Sequence, residues 1–266
     1  MKNIRFIYIT MTSLLLTSCF QDLDQDLPFD FPEQPTPPPI GADGQMFYLS
    51  FDEDVEDFQT LLDARIVGSP TFVEGKSQRA YAGAANSYLT FDAANLAAPL
   101  STEMTFTFWY KLNGTPDRAG LLVISPPHAG QPANAQNNRT SGIRIFREAA
   151  PPPIPFQRVK ANIGNGQSDI WLDGGANADI DPLSTDWIFI ALVLEADKAT
   201  FYMDGAVVST ANFTGVSWNG CDLISIGSGV PRFNEWGHLS DQSLFDEVKF
   251  YNKALPASEI ARIAAL

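Results

Sequence analysis

Thirty-one aspartates and glutamates stand against 17 lysines and arginines, so carboxylates are the groups with which this chain could most readily do chemistry. Glycosidic cleavage needs two of them, about 5–5.5 Å apart for retention and about 6.5–9.5 Å for inversion. Family 16 glycoside hydrolases carry such carboxylates as Glu-x-Asp-x-x-Glu on one strand, where alternate residues share a face. The nearest match, Glu195-Ala196-Asp197-Lys198-Ala199-Thr200, lacks the final glutamate and falls at an expected turn, where its side chains line no cleft. Glu53, Asp54, Glu56 and Asp57 follow the first strand and read as a solvated charge run. Gly227-Ser228-Gly229 departs from the Gly-x-Ser-x-Gly elbow, and nothing in the sequence pairs His128 or His238 with a nucleophile. Phosphate-loop and zinc spacings are missing from the sequence. These residues point to a chain without catalysis.

Aromatic side chains offer a different chemistry. A sugar ring presents an apolar C–H face and polar hydroxyls, which suits a rigid indole flanked by planar hydrogen-bonding groups. Trp109 and Trp187 lie within strand patterns and read as core. Trp171, Trp218 and Trp236 sit beside Asp, Asn and Gly, in Trp171-Leu172-Asp173-Gly174-Gly175, Ser217-Trp218-Asn219-Gly220 and Phe233-Asn234-Glu235-Trp236-Gly237. Each is a candidate sugar platform, against the alternative of a loop anchor. Arg144, Arg232 and Asn234 are the candidate hydrogen-bonding partners.

The elements that must position these groups read as strands. Phe47, Leu49 and Phe51 alternate with Met46, Tyr48 and Ser50, and Met104, Phe106 and Phe108 alternate with Thr105, Thr107 and Trp109. Trp187 to Leu194 is apolar on both faces, as in a central strand covered on both sides. Thr200–Met203 and Ala206–Ser209 flank Asp204-Gly205, a strong hairpin signal because a type I′ turn needs positive φ at both central positions. Only Ala257–Leu266, after Pro256, reads as a helix. Many short strands and one terminal helix predict an all-β, two-sheet antiparallel sandwich of jelly-roll type. Hydrophobic residues make up 45% of the chain, which excludes full disorder, and a formal charge of −14 argues against nucleic acid as the main partner.

Residues 1–18 read as a targeting segment, with Lys2 and Arg5 before the apolar stretch Phe6–Leu16. Leu16-Thr17-Ser18-Cys19 resembles the lipobox of bacterial lipoproteins, which implies cleavage before Cys19 and its acylation. Removing residues 1–18 takes away two basic residues and no acidic one, leaving a charge of −16. Cys221 is then the only other thiol and reads as a small, buried apolar residue. Residues 19–44, with Asp22, Asp24, Asp26, Asp30 and six prolines from Pro28 to Pro39 including Pro37-Pro38-Pro39, form an extended tether. Its acidic start resembles the surface-export signals of Bacteroidota lipoproteins, implying an outer-membrane lipoprotein exposed at the cell surface. Residues 45–266 form one domain.

Phe47–Asp52, Met104–Lys111 and Trp187–Val208 resemble laminin-G-like, concanavalin A-like lectin domains. The ending Phe245-Asp246-Glu247-Val248-Lys249-Phe250-Tyr251-Asn252-Lys253-Ala254-Leu255, with Ser258-Glu259-Ile260, carries the likeness furthest. The resemblance implies a two-sheet jelly roll, glycan binding and often a calcium ion near the termini. Gly130–Pro155 is long and polar and matches nothing in that pattern.

Asp246 shares the alternation of Leu244, Val248 and Phe250, the expected core face. A lone buried carboxylate costs several kcal/mol unless paired or bound to a cation. First and last strands of a jelly roll commonly lie side by side, which would bring Asp52 near Asp246. Asp52, Asp57 and Asp246 are therefore candidate ligands of one structural Ca²⁺, which takes six to eight oxygens. The alternative has Asp246 accepting backbone hydrogen bonds at a bulge. The reading that unites these signals is a surface lipoprotein that binds a polysaccharide or oligosaccharide without cleaving it, for an outer-membrane uptake system with a transporter partner. Its rivals are an adhesion lipoprotein that binds protein, and a glycoside hydrolase with an unrecognised carboxylate pair.

Overall fold

A computed structural model describes residues 36–127 and 139–266. The targeting segment, Cys19, most of the tether and the start of the Gly130–Pro155 stretch lie outside the described residues. Strands β1 (Gln45–Leu49), β2 (Glu56–Asp57), β3 (Leu62–Asp63), β4 (Arg65–Val67), β5 (Thr71–Glu74), β6 (Arg79–Ala82) and β7 (Tyr88–Asp92) precede β8 (Met104–Lys111). Then come β9 (Ala119–Ser125), β10 (Ile143–Ala149), β11 (Gln157–Gly164), β12 (Asp169–Asp173) and β13 (Asp179–Ile180). The chain continues through β14 (Ile188–Leu194), β15 (Lys198–Met203), β16 (Ala206–Asn212), β17 (Leu223–Ile226) and β18 (Leu244–Tyr251) to the helix α1 (Ala257–Ala264).

Two antiparallel sheets face each other. One runs β16-β15-β14-β8-β18-β6-β5, with β1 also on β18; the other runs β12-β11-β10-β9-β17-β7-β4, with β13 on β11. Alternation decides what each strand buries. Phe106, Phe108, Ile190 and Leu192 of the first sheet meet Leu122, Ile124, Ile145 and Ile163 of the second in one core. The two-sheet sandwich with a C-terminal helix is as expected from the sequence.

Residues of β14 that point the other way, Phe189, Ala191 and Val193, pack with Trp109, Tyr202 and the α1 residues Ile260 and Ile263. The helix thus seals the outer face of the first sheet, which is why β14 is apolar on both sides. The Asp204-Gly205 turn has φ of +49° and +77°, and Asp204 Oδ1 accepts the Phe189 N–H at 2.8 Å. No helix among the described residues is long and apolar enough to cross a membrane.

Strand β18 corrects one expectation. Its pairing with β8 shifts between Asp246 and Lys249, and Glu247 takes φ of +53°. This bulge inserts one residue, so Phe245, Val248 and Phe250 face the core while Asp246 stands opposite Trp109 on the outer face. Asp246 is fully buried there by the turn between β5 and β6, not by the core.

A buried ion pair ties the second sheet to the segment before β18. Arg147 meets Asp241 through Nε at 3.1 Å and Nη2 at 3.0 Å, and Tyr110 donates to the same carboxylate at 2.7 Å. Ser243 donates to it through both its N–H and its hydroxyl, so every oxygen is engaged.

Candidate glycan platform on the second sheet

The outer face of the second sheet carries the polar half of its alternation. Across β10, β11 and β12 the register sets Arg144 opposite Asn162, Phe146 opposite Lys160, Glu148 opposite Arg158, Asn162 opposite Trp171 and Lys160 opposite Asp173. The partners Ile143, Ile145, Ala161, Ile163 and Leu172 go to the core. Residues 229–239 fold over this face and bury Phe233 and His238 against Phe146, with Phe233 and His238 stacked at 4.7 Å. An aromatic floor results.

Trp171 and Trp236 stand on that floor, 41% and 43% exposed. Their ring centroids are 6.2 Å apart with planes inclined by 40°. Phe146 meets Trp171 edge-on at 5.8 Å, and Phe233 meets Trp236 edge-on at 6.1 Å. The Arg139 guanidinium lies 5.3 Å from one indole and 4.9 Å from the other, and its Nε donates to Asp169 at 3.0 Å. Trp236 has φ of +58°, a left-handed conformation costing about 1–2 kcal/mol for a residue with a Cβ. Ring contacts and a hydrogen bond from Arg118 Nη1 to the Trp236 carbonyl at 2.9 Å hold it there.

Beside the indoles runs a ladder of charges. Lys160 Nζ lies 2.8 Å from Glu148 Oε1 and 3.0 Å from Asp173 Oδ2. Arg158 grips Asp179 through Nε at 2.6 Å and Nη2 at 3.0 Å. Burial works to raise the Asp173 carboxyl, but the Gly175 N–H, Lys160 and Arg158 together hold it below its usual value. A carboxyl so held is an acceptor, whereas a general acid must keep its proton.

The candidates from sequence divide clearly. Trp171 and Trp236 come together, and Asn234 sits half-buried at the head of the turn that carries Trp236. Trp218 does not join them. Its Nε1 donates to the Ser101 carbonyl at 2.7 Å and its ring packs on Phe106 at 6.1 Å, so it anchors a loop beside an apolar depression of about 500 Å³. Arg144 is 1% exposed, lies against Phe233 of the covering segment, and donates to Asn162, Ser125 and the Ser141 carbonyl, so it braces the face from beneath. Arg232 is held by Asp222 at 2.7 and 2.8 Å and fastens the covering segment. Burial pushes the Cys221 thiol up to about 12, an unreactive state that fits its structural reading.

The proposed calcium ligands are engaged elsewhere. Asp57 accepts the N–H groups of Tyr48, Gln59 and Thr60 and the Thr60 hydroxyl. Asp246 accepts the N–H groups of Lys76, Ser77 and Glu247 at 2.8, 2.9 and 2.8 Å. Asp52 does lie near Asp246, at the same turn, where it accepts from Gln78 and the Arg79 N–H. Each of these carboxylates is thus engaged by N–H or side-chain donors of the protein, without the other two turned onto a common point. Among the described residues no three Asp, Glu, His or Cys side chains gather to hold a metal.

Arg139, Glu148, Lys160 and Asp173 were not singled out from the sequence. The signal was present in Arg158-Val159-Lys160-Ala161-Asn162-Ile163, a polar–apolar alternation that marks a strand with a charged outer face.

A laminin G-like family model described as the concanavalin A-like lectin/glucanases superfamily matches residues 83–261. The chain belongs to this superfamily. Among solved structures, the superfamily fold recurs in domain 4 of AbnA, a GH43 extracellular arabinanase from Geobacillus stearothermophilus, in complex with arabinotriose. That likeness has a TM-score of 0.59 at 17% identity, over 83% of this chain and 98% of that one. The binding domain of Paraclostridial Mosquitocidal Protein 1 is similar at TM-score 0.56 and 16% identity, over 84% of this chain and 52% of that one. The binding domain of botulinum neurotoxin DC in complex with SialylT is similar at 0.53 and 11%, over 84% and 51%. This chain therefore spans about half of the toxin chains. None of the curated proteins matches the sequence.

Proposed function

We propose that this lectin-like domain binds an oligosaccharide on the outer face of its second sheet and does not cleave it. The observation that carries the reading is the pair of exposed indoles, Trp171 and Trp236, held 6.2 Å apart over an aromatic floor. Exposed tryptophans fixed by neighbours lose little entropy when a sugar ring stacks on them. Lys160, which stands between Glu148 and Asp173 and pairs with both, supports the reading of binding without hydrolysis. The arabinotriose held by the structurally similar arabinanase domain makes arabino-oligosaccharides the first ligands to try.

In the cell, the reading continues as a lipoprotein anchored at Cys19, carried on a Pro-rich tether at the outer-membrane surface, and presenting glycan to an uptake transporter. The Leu16-Thr17-Ser18-Cys19 motif and the acidic tether support that part.

Calorimetry and reducing-end assays on arabino-oligosaccharides and a wider glycan panel test the domain's role. Trp171→Ala and Trp236→Ala are each expected to weaken binding about fivefold or more, taking roughly 1 kcal/mol as the least that a stacked base loses on such a truncation. Trp218→Ala is expected to lower the melting temperature and to leave affinity unchanged. Sugar release by the wild type, lost in Glu148→Gln or Asp173→Asn, would replace binding with hydrolysis.

A further inference from the structure

We infer that the ligand of this face is a neutral, hydroxyl-rich glycan, read by the Glu148–Lys160–Asp173 ladder beside the two indoles, and that acidic glycans are rejected. The inference rests on the carbohydrate reading above and adds the class of sugar.

Each cation of the ladder has its carboxylate. Lys160 lies between Glu148 and Asp173 at 2.8 and 3.0 Å, Arg158 is bidentate on Asp179, and Arg139 is paired with Asp169. Lys160 and Arg158 are committed to carboxylates, and Arg139, with its Nε on Asp169, lies against the two indoles with its Nη1 buried, so none of the three turns an open, solvent-facing fork toward a uronate or sulfate. The order of exposure sharpens the point. The Asp173 side chain is 39% exposed, whereas Lys160 beneath it is 18% and Arg158 10% exposed. A ligand resting on Trp171 therefore meets carboxylate oxygens first.

Those oxygens accept hydrogen bonds from sugar hydroxyls, and vicinal hydroxyls can reach the ladder two at a time. An anionic sugar would set its own carboxylate against Asp173 and Glu148. The exposed cation of the rim, Arg118, spends its Nη1 on the Trp236 carbonyl and has the Glu148 carboxylate 3.9 Å from its Nη2, so an anion approaching it also approaches that carboxylate. Repulsion at longer range has the same sign, because the whole chain carries −14.

The test is affinity electrophoresis of the full chain through gels holding neutral arabinan, xylan or β-glucan, or acidic polygalacturonate or alginate, at low and high salt. Retardation is expected in at least one neutral gel at both salt levels, and in neither acidic gel at low salt, where charge is least screened. Asp173→Asn is expected to weaken the neutral interaction about tenfold, as for a lost hydrogen bond to a charged group. Glu148→Gln is the second variant, and unchanged melting temperatures exclude misfolding. Stronger retardation by an acidic polymer than by any neutral one would overturn this inference while leaving carbohydrate binding standing. Neutral binding unchanged in both Asp173→Asn and Glu148→Gln would remove the ladder from the site. No retardation in any gel, with Trp171→Ala migrating as the wild type, would overturn the carbohydrate reading itself.

Discussion

Asp246 shows how much one carboxylate can disclose about its surroundings. Burial pushes it up to about 7 from the ordinary 3.8, although the Ser77, Lys76 and Glu247 N–H groups pull the other way. The folded state then holds the proton more tightly than the unfolded chain, so stability falls as pH rises from about 4 through 7. Asp57, also raised by burial, adds a contribution of the same sign. Thermal melts across that window should show the slope, and Asp246→Asn should flatten it. Added calcium should leave the midpoint in place, because N–H donors already occupy these oxygens. Sequence pattern marked Asp246 as buried and unusual, which was right. Its face was misjudged because a bulge inserts one residue without disturbing the apolar count of the strand. The indoles divide for a similar reason: all three tryptophans have polar neighbours, and only the fold of residues 229–239 decides which two meet.

At the scale of elements, alternation and turn chemistry made β8, β14 and the β15–β16 hairpin legible, and Pro256 marked the start of α1. The same hairpin carries a prediction. Gly205 has φ of +77°, and a Cβ placed there would come within 3.1 Å of Ala261 Cα and 3.2 Å of Ala264 Cβ. Gly205→Ala is therefore strained in its backbone and crowded by the helix. A destabilisation of about 1–2 kcal/mol is expected, read as a lower denaturation midpoint. The hairpin signal exposed the turn, but not its contact with α1, since that contact joins residues more than fifty positions apart. Long separation hid the ladder as well. The alternation of β11 shows that Arg158 and Lys160 face outward together, yet nothing local says that Glu148 and Asp173 will flank Lys160.

The whole molecule combines this sandwich with a segment expected to end in a lipidated Cys19. If the lipobox is processed, Cys19→Ala should move the protein from the membrane fraction to the soluble one and abolish incorporation of labelled fatty acid, while glycan affinity stays as in the wild type. The two sheets also differ in what covers them. The first is sealed by α1, and the second is roofed in part, leaving Trp171, Trp236 and the charges beside them at the surface. Arg158, Lys160, Trp171 and Asp173 alternate along β11 and β12 with Ala161, Ile163 and Leu172, which hold the interior. The pleat therefore lets the outward set be exchanged, and the surface it offers be rewritten, while the residues that hold the two sheets together stay as they are.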